Sequence, residues 1–197
     1  GSRAAPKLDS PKATERDPQR GNGTVQQSAI PIAPDTISMA RTTIRTVQKS
    51  QVEMTEMVLP NDTNRLGNLL GGRLMHMIDI AAAIAASRHS NRVCVTASVD
   101  ELNFLHSIKQ GEVLTLQASV NRVFHTSLEV GVRVTKENVL TGEKKHANSA
   151  YLTFVAIDEE GKPVAVEPIR PVTQEQKRRF ADAGRRRQLR LKHRKPR

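Results

Sequence analysis

The sequence has no tryptophan, one tyrosine and four phenylalanines, so aromatics supply only 3% of its 197 residues. Hydrophobic residues stop at 37%, below the usual share of a compact domain, and part of the chain is expected to lie outside any core. The single cysteine, Cys94, excludes an intrachain disulfide and a zinc site built on cysteines. It fits a reducing compartment, and a cytoplasmic location is expected. No stretch approaches the roughly 18 consecutive apolar residues of a membrane span. The N-terminal region lacks a hydrophobic signal core. No cluster of His, Asp and Glu has metal-ligand spacing, so neither a metal nor a cofactor is expected.

Charge is plentiful but uneven. The formal net charge is +11, and residues 177–197 carry +10 of it, with eleven Lys or Arg against Asp182 alone. The basic character therefore belongs to a tail. Blocks of like charge are ordinarily solvated extensions, and that is the expectation here. A nucleic-acid partner is not expected, because a high pI argues for one only when the charge forms a surface on the fold.

The length permits one domain with extensions. Residues 1–41 read as a disordered segment rich in Pro, Ser, Gly and Gln. Gly1-Ser2 reads as an expression-vector remnant, which makes Met39 a candidate native start. Residues 42–165 form the expected folded domain, and 166–197 a basic helix and tail. Thr43 to Leu59, rich in β-branched residues, reads as a first strand, closed by the turn Pro60-Asn61-Asp62. From Leu74 to Ser87 follows a helix of Leu, Met, Ile and Ala that is apolar on nearly every face. Such a helix is expected to be buried all round. Four strands follow: Arg92 to Phe104, Glu112 to Phe124, Ser127 to Asn138 and Lys145 to Asp158. In the third, Leu128, Val130, Val132 and Val134 alternate with Glu129, Gly131, Arg133 and Thr135, one buried face and one polar. A basic helix begins near Thr173. The expected class is α+β, an antiparallel sheet curled around one central helix. A homodimer with its sheets joined edge to edge would cover what remains exposed.

Asp79 lies inside the apolar helix, where an unpaired carboxylate is costly. It is expected to be either a satisfied core acid or a functional one. Gly71 and Gly72 open the helix, and their amides, aligned with the dipole, suit a polarised carbonyl oxygen. Gly72 and Asp79 are separated by about 10 Å of helix at 1.5 Å per residue. A partner subunit is therefore the expected source of the second group at any one reacting atom. Asn68 reads on spacing alone as a turn or cap residue, with a donor and acceptor role as the alternative.

Several stretches in order resemble the hotdog-fold acyl-CoA thioesterases, the family of the brain-type cytosolic acyl-CoA hydrolases and their bacterial single-domain relatives. They are Leu59-Pro60-Asn61-Asp62, Gly67-Asn68-Leu69-Leu70-Gly71-Gly72, Met77-Ile78-Asp79, Ala86-Ser87-Arg88-His89, Val95-Thr96-Ala97-Ser98 and Leu140-Thr141-Gly142. The resemblance covers Val47 to His193. It implies a hotdog fold, hydrolysis of a fatty acyl-CoA to free acid and CoA, and homodimers that assemble as trimers of dimers. CoA is then part of the substrate, not a cofactor. By the same resemblance Asn68 orients water or carbonyl and Asp79 is the acid, the two coming from different hotdogs. In a related bacterial branch the position of Asn68 is itself an aspartate, so here the acid role falls to Asp79. Gly72 and Gly71 supply backbone donors. Asn103, Arg122, His125, Thr126 and Ser127 are expected to contact CoA. The alternative function is a non-catalytic acyl-CoA-binding regulator. A hotdog hydratase would need an acid and histidine pair that the sequence does not offer.

Overall fold

A computed structural model describes residues 45–100, 102 and 105–193. The expected disordered segment and the positions of Asn103 and Phe104 lie outside the described residues. The elements run β1 (Arg45–Thr46), a 3-10 turn (Val47–Ser50), β2 (Val52–Met57), a second 3-10 turn (Pro60–Asp62), α1 (Gly71–Ser90) and β3 (Val93–Val99). They continue β4 (Val113–Val123), β5 (Ser127–Asn138), β6 (Glu143–Ile157), β7 (Ile169–Arg170) and α2 (Gln174–His193). The main sheet has the order β2-β4-β5-β6-β3, with every neighbouring pair antiparallel. It packs against α1, which is the hotdog arrangement. No helix among the described residues is long and apolar enough to cross a membrane.

Local chemistry explains most of these bounds. The chain leaves α1 at Asn91, which takes the left-handed conformation at φ 53° and donates its amide to the Ser87 carbonyl. The β5–β6 turn is made by Asn138, whose carbonyl accepts from the Gly142 amide, with Gly142 at φ +72°. The β4 and β5 alternation places Leu114, Leu116, Val120, Leu128, Val130 and Val134 against α1, fully buried. From α1 come Leu74, Met77, Ile78, Ala81, Ala82, Ala85 and Ala86. Four alanines in that set let the helix lie close on the sheet.

Four expectations need correction. The expected first strand is broken: Ser50 is buried, gives its hydroxyl proton to the Val47 carbonyl and accepts the Val120 amide, which bends the chain between β1 and β2. The strand expected from Arg92 to Phe104 leaves the sheet at Val99. The central helix begins at Gly71, earlier than Leu74, and is not buried all round. One sheet can cover only one side of it, so Met75 (43% exposed), Ile80 and Ile84 (39%) remain open. Finally, the basic C-terminal residues are not a solvated extension. Helix α2 packs on the face of the sheet opposite α1, over the row expected to be polar. Glu129 of that row is fully buried, gripped by Arg186 at 2.6 Å.

A depression beside the open face of helix α1

The turn entering α1 is organised by Asp62. Its carboxylate accepts from the Leu59 amide at 3.2 Å and from Arg73 Nε at 2.9 Å, while its carbonyl accepts the Leu70 amide. Between these points Asn64 Oδ1 receives the amides of Leu66 and Asn68, and Gly67 takes φ +70°. The loop therefore reaches Gly71 fixed at both ends. Arg73 is the first residue of α1 whose amide turns back to the Leu70 carbonyl, so the amides of Gly71 and Gly72 stand at the helix start ahead of it. A Cβ built on Gly72 would meet nothing within 4 Å, so its backbone is open to an approaching molecule.

Asp79 lies two turns further on, on the same open face. It is half-buried, not sealed in the core as its apolar neighbours suggested, and its Oδ1 accepts the Thr96 hydroxyl of β3 at 2.7 Å. Gly72, His76, Asp79 and Thr96 line one depression of about 380 Å³, with Met75, Val99 and Leu102 as its apolar wall. Asn68 and Gly71 line a separate depression of about 330 Å³ with His106 and Ser107. Asn68 is held there through its backbone, whose amide and carbonyl both bond Asn64 and which bridges to Lys109. The protomer thus brings Gly72 and Asp79 into one depression and leaves Asn68 in another.

The other expected residues are elsewhere. Arg122 is sandwiched between the rings of Phe124 and Phe180. His125 forms the β4–β5 turn at φ 91°, and its carbonyl accepts the Val166 amide. Thr126 accepts the Ala156 amide, and Ser127 Oγ accepts from Arg187. None of the four lines either depression, and Asn103 lies outside the described residues. Thr96 was missed. It falls in one of the stretches that carry the resemblance, and the strand period puts it on the same side as Cys94, facing α1. Among the described residues no group of three or more His, Cys, Asp or Glu could hold a metal.

Two other titratable groups near α1 are perturbed. Burial holds His89 below its usual range, assisted by the charge of Arg45 and opposed by its bond to the Glu167 carbonyl. Burial likewise pushes the Cys94 thiol up, so it is not an activated nucleophile.

The sequence profile of the thioesterase superfamily matches residues 66–143, a span that holds Asn68, both glycines, Asp79 and Thr96. An acyl-CoA thioester hydrolase of Bacillus subtilis is 45% identical over 132 residues, covering 67% of this chain and 77% of that protein. The chain belongs to the thioesterase superfamily. Among solved structures, a hexameric acyl-CoA thioesterase shares 42% identity at a TM-score of 0.73, covering 75% of this thioesterase and 94% of that chain. An acyl-CoA hydrolase of Staphylococcus aureus, solved with butyryl-CoA and CoA, shares 36% identity at a TM-score of 0.71, covering 75% and 90%. That protein was also solved as alanine variants at an aspartate, a threonine and an asparagine. The thioesterase spans less than half of the longer mouse relatives it also matches.

Proposed function

We propose that this thioesterase hydrolyses fatty acyl-CoA to free fatty acid and CoA, in sites each built from two copies of the chain. The observation that carries the reading is Asp79, bonded to Thr96 and lining a depression on the open face of α1, where a second copy can reach it. In this reading the helix-start amides of Gly71 and Gly72 in the facing copy receive the thioester carbonyl oxygen and stabilise the oxyanion, because about 10 Å of helix separates Gly72 from Asp79 within one copy. Asp79 takes a proton from water, whose oxygen attacks the carbonyl carbon. The C–S bond then breaks, and CoA leaves as its thiol with the proton that Asp79 took from the water. Direct attack by Asp79 through an anhydride gives the same products.

Asn68 of a second copy would orient the water or carbonyl. The separation of the two depressions within one protomer supports that division, as does the exposed apolar row Met75, Ile80 and Ile84 beside Asp79. A hexameric relative supports assembly into a trimer of dimers. In the Staphylococcus relative the aspartate and threonine chosen for substitution are 17 residues apart, the spacing of Asp79 and Thr96. Its substituted asparagine lies 15 residues before the aspartate, which by that spacing falls on Asn64. Asn64 and Asn68 therefore both enter the test.

The test is release of CoA thiol from a panel of saturated acyl-CoAs, with Asp79→Ala, Asn64→Ala and Asn68→Ala beside the parent. A loss of roughly 100-fold or more in kcat for Asp79→Ala, with the oligomer intact by light scattering, is expected. Turnover within a few-fold of the parent would remove Asp79 from the mechanism. CoA contacts by Asn103, Arg122, His125, Thr126 and Ser127 belong to the same proposal. They are tested at the one with least structural duty, where Thr126→Ala should raise KM and leave kcat. The same panel tests the alternative of a non-catalytic acyl-CoA-binding regulator, which predicts saturable binding with no turnover.

A further inference from the structure

We propose that the cleft between α2 and the outer face of the sheet is a second binding site, taking a small hydroxylated phosphate ester. This site is separate from the proposed acyl-CoA site. The cleft lies on the face of the sheet opposite α1, and no residue of its lining lines either depression beside that helix. Its volume is about 640 Å³, within the range of small-molecule sites. The middle of its floor is made by β4 and β5. The register of that pair shifts between Val120 and Arg122, which leaves Asn121 as an extra residue on β4. A bulge of this kind re-aims side chains. Asn121 is 3% exposed and donates to the buried Glu129 at 3.1 Å. Its amide lies over Gly131, where a Cβ would come within 2.8 Å of Nδ2. The strand therefore gives up a side chain in the middle of the floor. Ser119, buried and paired with Gly131, brings a hydroxyl there.

Three guanidinium groups border the cleft, Arg133 from β5 and Arg178 and Arg179 from α2. Arg179 reaches across it, with Glu175 at 2.7 Å on its own helix and the Ser119 hydroxyl at 3.4 Å on the floor. Arg178 pairs with Asp182 at 3.2 Å. Arg133 is exposed and makes no hydrogen bond or ion pair among the described residues. Both acids of the lining are already engaged, Glu175 by Arg179 and Glu53 by Gln117 at 2.9 Å. The Glu175 carboxyl is held below its ordinary range, first by the bond and charge of Arg179 and then by the charges of Arg178 and Arg133. An anion in the cleft meets the same field. Arginine suits a phosphate, whose oxygens accept two parallel N–H bonds from one guanidinium. The hydroxyls of Ser119, Ser149 and Tyr151 suit an ester whose alcohol carries further O–H groups. A nucleotide is a poorer fit, because the phenol ring in the lining already carries Arg186, 3.6 Å from its centre.

The experiment titrates glycerol 3-phosphate into the full chain by calorimetry in phosphate-free buffer, with inorganic phosphate, glycerol and AMP as comparison ligands. Glycerol 3-phosphate should saturate and bind roughly fivefold tighter than inorganic phosphate, the scale of one added neutral hydrogen bond. Glycerol alone should not bind. Arg133→Ala should weaken glycerol 3-phosphate about tenfold or more, the scale of a charge-assisted bond, and Arg133→Lys should recover part of the loss. Because Arg133 is exposed and bonds no other residue described, its variants should keep the urea midpoint of the parent. Lys177→Ala removes the same charge from α2 outside the cleft, and the affinity should change by less than about twofold. No saturation by glycerol 3-phosphate, or equal losses in Arg133→Ala and Lys177→Ala, overturns the proposal. Inorganic phosphate or AMP binding as tightly as glycerol 3-phosphate overturns the ligand it names. None of these readouts uses turnover, so the failure of the acyl-CoA reading and the failure of this site are separate results.

Discussion

Asp79 and Thr96 are joined by a bond that neither helix nor strand chemistry requires. A hydroxyl donating to a carboxylate contributes on the order of 1.5–3 kcal/mol and fixes which carboxylate oxygen stays free. If Asp79 is the base, Thr96 aims it, leaving Oδ2 for water while Oδ1 is occupied. Thr96→Val keeps the shape and β-branching and removes only the donor. It should lower kcat roughly 10- to 100-fold, as about 1.4 kcal/mol corresponds to each factor of ten. KM should change little, and steady-state kinetics on one acyl-CoA checks both. The position of Asp79 in the helix, the glycines before it and the strand character of Thr96 were all legible in the sequence. Their meeting was not, because the bond spans 17 residues and depends on how β3 lies across α1.

At the scale of an element, α2 departs furthest from expectation. Its composition suggested a solvated charge run. Four of its arginines, Arg179, Arg186, Arg187 and Arg190, instead reach partners far away in sequence: Glu129, Asp100, Ser119 and Ser127, and the rings of Phe124 and Tyr151. Burial alone would lower the pKa of Arg186, but the bond and charge of Glu129 outweigh it and the net shift is upward. Arg186→Ala leaves Glu129 buried with its main cation gone. That should destabilise the fold by about 3–5 kcal/mol, read from urea unfolding. Adding Glu129→Gln should return part of the loss, since a neutral amide costs less to bury than a lone carboxylate. The start of α2 near Thr173 was readable from the polar Thr-Gln-Glu-Gln sequence that caps it. Its docking was not, because the acid it covers sits in the polar half of an ordinary alternating strand.

At the scale of the whole molecule, two features remain to be tested. His89 is fully buried at the end of α1. Its Nε2 donates to the Glu167 carbonyl, its Nδ1 has no partner among the described residues, and Arg45 lies against its carbonyl. It is therefore neutral in the fold, with its pKa below the ordinary 6.5. The unfolded chain takes up a proton at about pH 6.5 and the folded chain only at lower pH. Stability should accordingly fall as pH drops through that window and hold above it. Urea midpoints at pH 7.5 and 5.5 check this, and His89→Gln should lose that part of the pH dependence. The second feature is the exposed apolar row on α1 beside the β3 edge, where Val93, Val95 and Val99 are also open. If a second copy covers it and completes the site, Ile84→Glu should lower the mass seen by light scattering and reduce turnover together.

Most of the elements follow from the sequence, the break between β1 and β2 apart. Alternation placed β5 at Ser127–Asn138, turn residues closed the hairpins, and the Leu, Met, Ile and Ala run made α1. The resemblance carried by the loop before α1 gave the family. These are local properties, fixed by backbone geometry and by side chains a few positions apart. Tertiary structure alone decided that one side of α1 stays open, that Glu129 is buried under α2, and that Thr96 holds Asp79. Each of these depends on what covers a surface. Covering is set by chain segments far apart in sequence, whose contacts leave no local period to read.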